Sequence, residues 1–252
     1  MTTLLTVAGF VYSASRLGLT DFNRLSKGVF NLGSLLAEMV PPNPEVAAEA
    51  ATALAETIQI AFVGTVLGFV FALPISALAM RNIFPQTLTT VVRAFFGFMR
   101  TIPVLFWAVF FVIAVGLGPL AGTLAIAVYT FGYLSKIYYE AFEATDPEIL
   151  DAIRVTKAPR ILILRHAIIP ESMNTIISQL LFMFEYNIRS STVLGFVGAG
   201  GIGLLMISYI ESLQYSSLTT ALLFTLSTVV AIDLLSGYLR KQFIPGFIQK
   251  PK

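Results

Sequence analysis

Six stretches of this chain are apolar enough to read as membrane-crossing helices: roughly residues 1–19, 51–80, 87–116, 119–143, 167–190 and 216–239, the first of them short. A bilayer core takes about 20 mostly apolar residues per helix. Inside it every backbone N–H and C=O must be satisfied by the protein, which leaves helices and closed barrels. These stretches are too long and too uniformly apolar for barrel strands of about 10 alternating residues. Composition agrees, with 56% hydrophobic and 12% charged residues, where a soluble domain carries about 25% charged. The expected fold is all-α and polytopic, in contact with a lipid bilayer and with no nucleic-acid partner. Cys is absent and His166 is the single histidine. Disulfides, thiolate sites and multi-histidine centres are therefore excluded, and neither a metal nor another cofactor is expected. Thr3 to Ala14 has no basic residue before it and reads as the first span, not as a cleavable signal peptide.

Charge placement orients the spans. Arg81, Arg93, Arg100, Lys136, Arg154, Lys157, Arg160, Arg165, Arg240, Lys241, Lys250 and Lys252 fall on one side or at its edge. Arg16, Arg24 and Lys27 fall on the other, offset by Asp21, Glu38, Glu45, Glu49 and Glu56. The positive-inside rule makes the first side cytoplasmic, together with both termini. Residues 21–40 are too polar to span. Their Phe22, Leu25, Val29, Leu32, Leu36 and Met39 recur at helical spacing, predicting an amphipathic helix on the outer surface. The chain thus divides into 1–50 (first span, outer helix and linker), 51–240 (the transmembrane domain, with a polar loop at 144–170) and a cytoplasmic tail, 241–252.

That polar loop is a charged island between two apolar spans, a surface offered to something soluble. Asp146-Pro147-Glu148 is a helix start: a cap, a proline at the first helical position and a carboxylate at the positive end. Pro159 disfavours helix at Ala158. Ile149, Leu150 and Ile153 form an apolar patch among Asp151, Arg154 and Lys157, suited to a groove on a cytoplasmic protein. A solvated loop helix without a partner is the alternative.

The run Asp151-Ala152-Ile153, continued through Arg160 to Ile168-Ile169-Pro170, resembles the coupling loop of ABC importer permeases. In that pattern Asp151 stands for a Glu, Ala152 for the first Ala and Pro170 for the closing proline, while Ile153 and Lys157 replace an Ala and a Gly. Arg100-Thr101-Ile102-Pro103, Tyr139-Glu140-Ala141, Phe184-Glu185-x-Asn187-x-Arg189-Ser190 and Thr192-Val193-Leu194-Gly195 through Gly203 resemble the phosphonate/phosphite branch of the same superfamily. The resemblance implies a type I importer permease of a bacterial inner (plasma) membrane. It further implies a homodimer on a cytoplasmic ABC ATPase dimer, fed by an extracytoplasmic substrate-binding protein with a phosphonate or related phosphorus oxyanion. Asp146, Glu148, Ile149, Leu150, Asp151, Ala152, Ile153, Arg154, Lys157, Ala158, Arg160 and Pro170 would then couple the spans to the ATPase. The chain has no Walker-A sequence and so no ATPase site of its own.

Polar residues within the spans are the other candidates. Glu185 and Arg189 are four apart, share a helix face and can pair. Charges at such depth face protein or a wet cavity, so the pair either borders a translocation path or outer gate, or fixes packing. Asn187, Ser190 and Thr192 are grouped with it. Gly198-Ala-Gly200-Gly201-Ile-Gly203 fits a GxGxxG nucleotide loop literally, with Gly195 just ahead of it. A membrane helix precedes these glycines and no βαβ unit surrounds them, so they read as a turn or close helix approach; the resemblance implies a place near the outward gate, with packing alone as the alternative. An ion-coupled secondary transporter of a small anion is the rival function. It would show internal repeats and midplane carboxylates; no clear repeat is present, and Arg189 neutralises Glu185. A hydrolase built on His166 with Ser190 or Ser191 fails, since one helix holds them about 35 Å apart.

Overall fold

The computed structural model of the chain describes residues 2–146, 148–150 and 158–243, and among these there is no strand. Helices α1 (Thr2–Arg16) and α2 (Phe22–Glu38) lead through a short turn, Pro44–Val46, into α3 (Ala47–Ala77). Then come α4 (Gln86–Thr101), α5 (Val104–Val115) and α6 (Pro119–Glu143). After the polar loop follow α7 (Arg160–Gly195), α8 (Gly201–Glu211) and α9 (Tyr215–Phe243).

Four of these helices, α3, α6, α7 and α9, are long and apolar enough to cross a membrane, or five spans are present if α4 and α5 count as one. The expectation of six is corrected on two grounds. Helix α1 has 15 residues, about 22 Å, against a hydrocarbon core of about 30 Å. The span expected over 87–116 is broken, its two arms meeting at 86°. Ile102 lies in the extended region, as sterics demand of a residue before proline, and Pro103 caps α5.

Helix α7 begins earlier than expected and runs straight through Pro170. A proline there cannot donate to the carbonyl of His166, and its ring crowds that oxygen. The wider π-turn over Leu164–Ile168 absorbs the mismatch. Helix α2 forms as its periodicity predicts, with Asp21 accepting from the Arg24 N–H at 3.0 Å. None of its residues is buried.

Helices α3 and α6 pack almost backbone to backbone. A Cβ at Gly64 would lie 2.9 Å from the Thr123 carbonyl oxygen, and one at Gly68 would lie 2.8 Å from that of Ala127. Small residues spaced by four are how membrane helices gain contact without a hydrophobic driving force. Side chains along this axis form successive clusters: Leu54, Ile202 and Met206 at the start of α3, Ile60, Ile126 and Leu194 in the middle, and Leu134, Tyr138, Phe142 and Ile168 towards the polar loop. At the far end, Asn43 donates to Ser217 Oγ at 3.2 Å and the Thr220 hydroxyl donates to the Asn43 carbonyl at 2.7 Å, clamping the linker to α9.

Candidate functional site

The polar loop starts as its sequence predicts. The Asp146 side chain accepts from the Glu148 N–H at 2.9 Å, and the Asp146 carbonyl accepts from the Leu150 N–H at 3.2 Å. Of the apolar patch expected at Ile149, Leu150 and Ile153, Leu150 turns inward. Leu150 is 4% exposed, and the half-buried Ile149 and Ala158 pack on the same cluster as Phe142, Ile163 and Ile168. Apolar side chains on a short loop helix gain more by covering the end of their own bundle than by facing water. Asp146, Glu148, Arg160 and Pro170 are exposed. Asp151, Ala152, Ile153, Arg154 and Lys157 lie outside the described residues.

The root of the loop carries an ion-pair cluster that sequence spacing did not reveal. Arg93 on α4 donates to the Ala79 carbonyl from Nε at 2.9 Å and Nη2 at 2.8 Å, and pairs with Glu143, the last residue of α6. Glu143 also accepts from the Arg81 N–H at 2.7 Å. The Arg93 guanidinium lies 4.5 Å from the centre of the Tyr139 ring, which stacks on Phe96. The turn between α3 and α4 is thereby tied to the point where the polar loop leaves α6.

About three-quarters of the way along α7, Asn187 is fully buried and donates from Nδ2 to Thr65 Oγ1 and Thr130 Oγ1, both at 2.8 Å. It joins α7 to α3 and α6. Two residues before it, Glu185 is 8% exposed and pairs with Arg189, as the spacing of four predicts. It also pairs with Arg240 of α9 at 3.1 Å, a partner local spacing did not reveal. Two cations on one buried carboxylate leave the cluster with an excess positive charge, and the Arg189 side chain is 49% exposed. Ser190 is buried, and the Thr192 hydroxyl donates to the Ile188 carbonyl at 3.3 Å.

The glycine run is the break between α7 and α8. Gly198, Gly200 and Gly201 have φ of 84°, 83° and 71°, a region closed to most side chains. The backbones of α7 and α8 touch: a Cβ at Gly195 would lie 2.6 Å from Gly203 Cα, and one at Gly203 would collide with the Thr192 carbonyl. The first N–H groups of α8 have no intrahelical partner, and α3 supplies them. Glu56 Oε1 accepts from Gly201 at 3.0 Å and Thr57 Oγ1 from Ile202 at 2.7 Å. A carboxylate there also meets the positive end of the helix dipole. This level is about 14 Å along α3 from its start. Helix α8 then continues beside α3 until Tyr209 donates to Glu49 at 2.9 Å. Helices α7 and α8 therefore form one interrupted path through the bundle, its irregular backbone enclosed by protein.

Known proteins share this architecture and sequence. Residues 64–249 match the family described as binding-protein-dependent transport system inner membrane component. The phosphite transport system permease protein PtxC of Stutzerimonas stutzeri is 34% identical over 227 residues, covering 90% of this chain and 82% of that protein. The phosphate-import permease protein PhnE of Mycolicibacterium smegmatis is 36% identical over 218 residues; the match covers 86% of this chain and 41% of that longer protein. An inward-facing structure of the methionine ABC transporter MetNI superposes with a TM-score of 0.72 over 79% of this chain and 98% of that one. At 21% identity that likeness is one of fold. With its family match spanning most of the bundle, the chain belongs to the inner membrane components of binding-protein-dependent transport systems.

Proposed function

We propose that this permease imports a phosphorus oxyanion, whether phosphite, a phosphonate or phosphate, using ATP hydrolysed by a separate cytoplasmic ATPase dimer. The observation that carries the substrate class is the likeness to a phosphite permease over 90% of the chain. An extracytoplasmic binding protein would deliver the anion to the outer face, and a second permease copy would complete the path. The C-terminus and the 144–170 loop face the cytoplasm in this reading, consistent with the placement of Lys and Arg; with α1 too short to cross, the N-terminus lies on the opposite side.

In the mechanism, residues from Asp146 to Arg160 dock on the ATPase. Closure of the ATPase dimer displaces the loop, and Leu150, seated among Phe142, Ile163 and Ile168, carries that displacement into α6 and α7. The Arg93–Glu143 tie keeps the α3–α4 turn moving with the end of α6. At the far end of α7 the glycine break lets α8 reorient against α3, with Glu56 and Thr57 holding or releasing its first turn. Glu185, Asn187, Arg189, Ser190 and Thr192 lie on the stretch of α7 leading to that break. The ion-coupled alternative needs a midplane carboxylate free to titrate, and Glu185 is held by two arginines.

The test is reconstitution of the permease with its ATPase and binding protein in proteoliposomes, with phosphite as probe. Expected is ATP-dependent phosphite accumulation that requires the loaded binding protein. A permease that purifies without an ATPase and moves phosphite down an ion gradient would overturn the reading.

A further inference from the structure

One face of the bundle differs from the rest of its perimeter. Helices α3 and α9 turn residues such as Val70, Phe71, Leu226 and Leu234 outward, a surface suited to lipid. Along the seam of α6 and α7, by contrast, the half-exposed tyrosines Tyr129, Tyr133 and Tyr186 interrupt the apolar surface. Tyr129 stacks on Tyr186 with ring centres 5.8 Å apart, and Tyr133 lies against Phe182 at 6.2 Å. At one end Arg100 is exposed, with its guanidinium 5.7 Å from the centre of the Tyr133 ring and no ion pair among the described residues. At the other end Arg189, seven residues and so about 10 Å along α7 from Phe182, shares the carboxylate of Glu185 with Arg240. Phenol hydroxyls and unneutralised guanidinium groups are costly against acyl chains and are found facing water or protein.

From this juxtaposition we infer that the α6–α7 face is an anion-binding surface within the permease, with a tetrahedral phosphorus oxyanion as its occupant. The inference deepens the function proposed above and rests on it. Charge complementarity selects the occupant: the face offers hydroxyl donors between two arginines, while Glu185 is engaged by Arg189 and Arg240, and Glu140 by Lys136 at 3.3 Å. Guanidinium forks match the oxygens of such an anion, and stacked tyrosine rings hold their hydroxyls in place at little entropic cost. An oxyanion reaching Arg189 competes with Glu185, and Arg240 remains to satisfy that carboxylate. The site therefore accepts an anion without stranding a buried charge, which makes binding reversible and suits a path more than a trap.

Two measurements test this in the complete complex. In proteoliposomes, Arg100→Gln/Arg189→Gln is expected to lower phosphite uptake by about tenfold or more. ATP hydrolysis stimulated by loaded binding protein should persist, and Arg189→Lys should recover part of the uptake. Wild-type uptake and stoichiometry in the double variant would overturn the surface while leaving the proposed function standing. A wild-type complex that moves no phosphorus oxyanion would overturn both. The second measurement keeps both arginines. The chain has no Cys, so Tyr186→Cys introduces its single thiol, whose modification is read by mass on this chain. A negatively charged methanethiosulfonate is expected to react about tenfold faster than a positively charged one, with phosphite slowing it. A thiol that stays unreactive, or reacts without charge preference or protection by phosphite, marks a face covered by a second copy or by lipid and overturns the inference.

Discussion

Asn187 offers the sharpest test of how this bundle is held together, because its sequence position fits a path residue while its surroundings make it a tie. Both amide hydrogens are engaged, with Thr65 and Thr130, and Oδ1 is buried without a partner. An interhelical hydrogen bond in a membrane protein contributes about 0.6 kcal/mol on average and up to about 1.7. Asn187→Ala therefore loses about 1–3 kcal/mol from two bonds and a small void, and regains part of the desolvation cost of the orphan oxygen. The net is about 1–2 kcal/mol, or roughly 2–8 °C in melting midpoint for a chain of this size. Asn187→Asp removes both donors and faces the Thr65 hydroxyl, which already donates to the Ala61 carbonyl at 2.6 Å. That buried carboxylate is expected to cost about 3–5 kcal/mol. The assay is the thermal midpoint of the detergent-solubilised complex, followed by size exclusion, with phosphite uptake measured in parallel. The reasoning predicts a graded loss, Ala mild and Asp severe, with uptake following the amount of folded protein. An Ala variant with unchanged midpoint and abolished uptake would refute it and return Asn187 to the translocation path.

Two further outcomes follow from the same geometry. Gly203→Ala places a methyl group against the Thr192 backbone, which cannot rotate away, so the α7–α8 junction should loosen by about 1–3 kcal/mol or more; Gly237→Ala, with open space around it, serves as the neutral control. Arg93→Ala leaves Glu143 and the Ala79 carbonyl short of donors and should cost about 2 kcal/mol. A double-mutant cycle with Glu143→Ala, read on the same thermal midpoint, should recover a coupling of about 1 kcal/mol or more; strict additivity would show that the pair is incidental.

Much of this protein was decided by local pattern. Long apolar runs have one solution in lipid, so α3, α6, α7 and α9 could be read from composition and length alone. The Asp146 start, the α2 helix and the Glu185–Arg189 pair also came from spacing, since each depends on neighbours within one or two turns. The close approach of α3 and α6 at Gly64 and Gly68 emerged only from the structure. Tertiary structure alone decided that Leu150 faces inward and that Arg240 shares Glu185. It likewise decided that Glu56 and Thr57 cap a helix 145 residues away; the 86° bend, by contrast, falls where Pro103 interrupts the helix locally. The physical reason is common to the first three. Helical periodicity determines which side chains share a face, but the partner of that face depends on how helices are registered against one another. That register is set by backbone contacts at Gly64 and Gly68, between α3 and α6, and at Gly195 and Gly203, between α7 and α8.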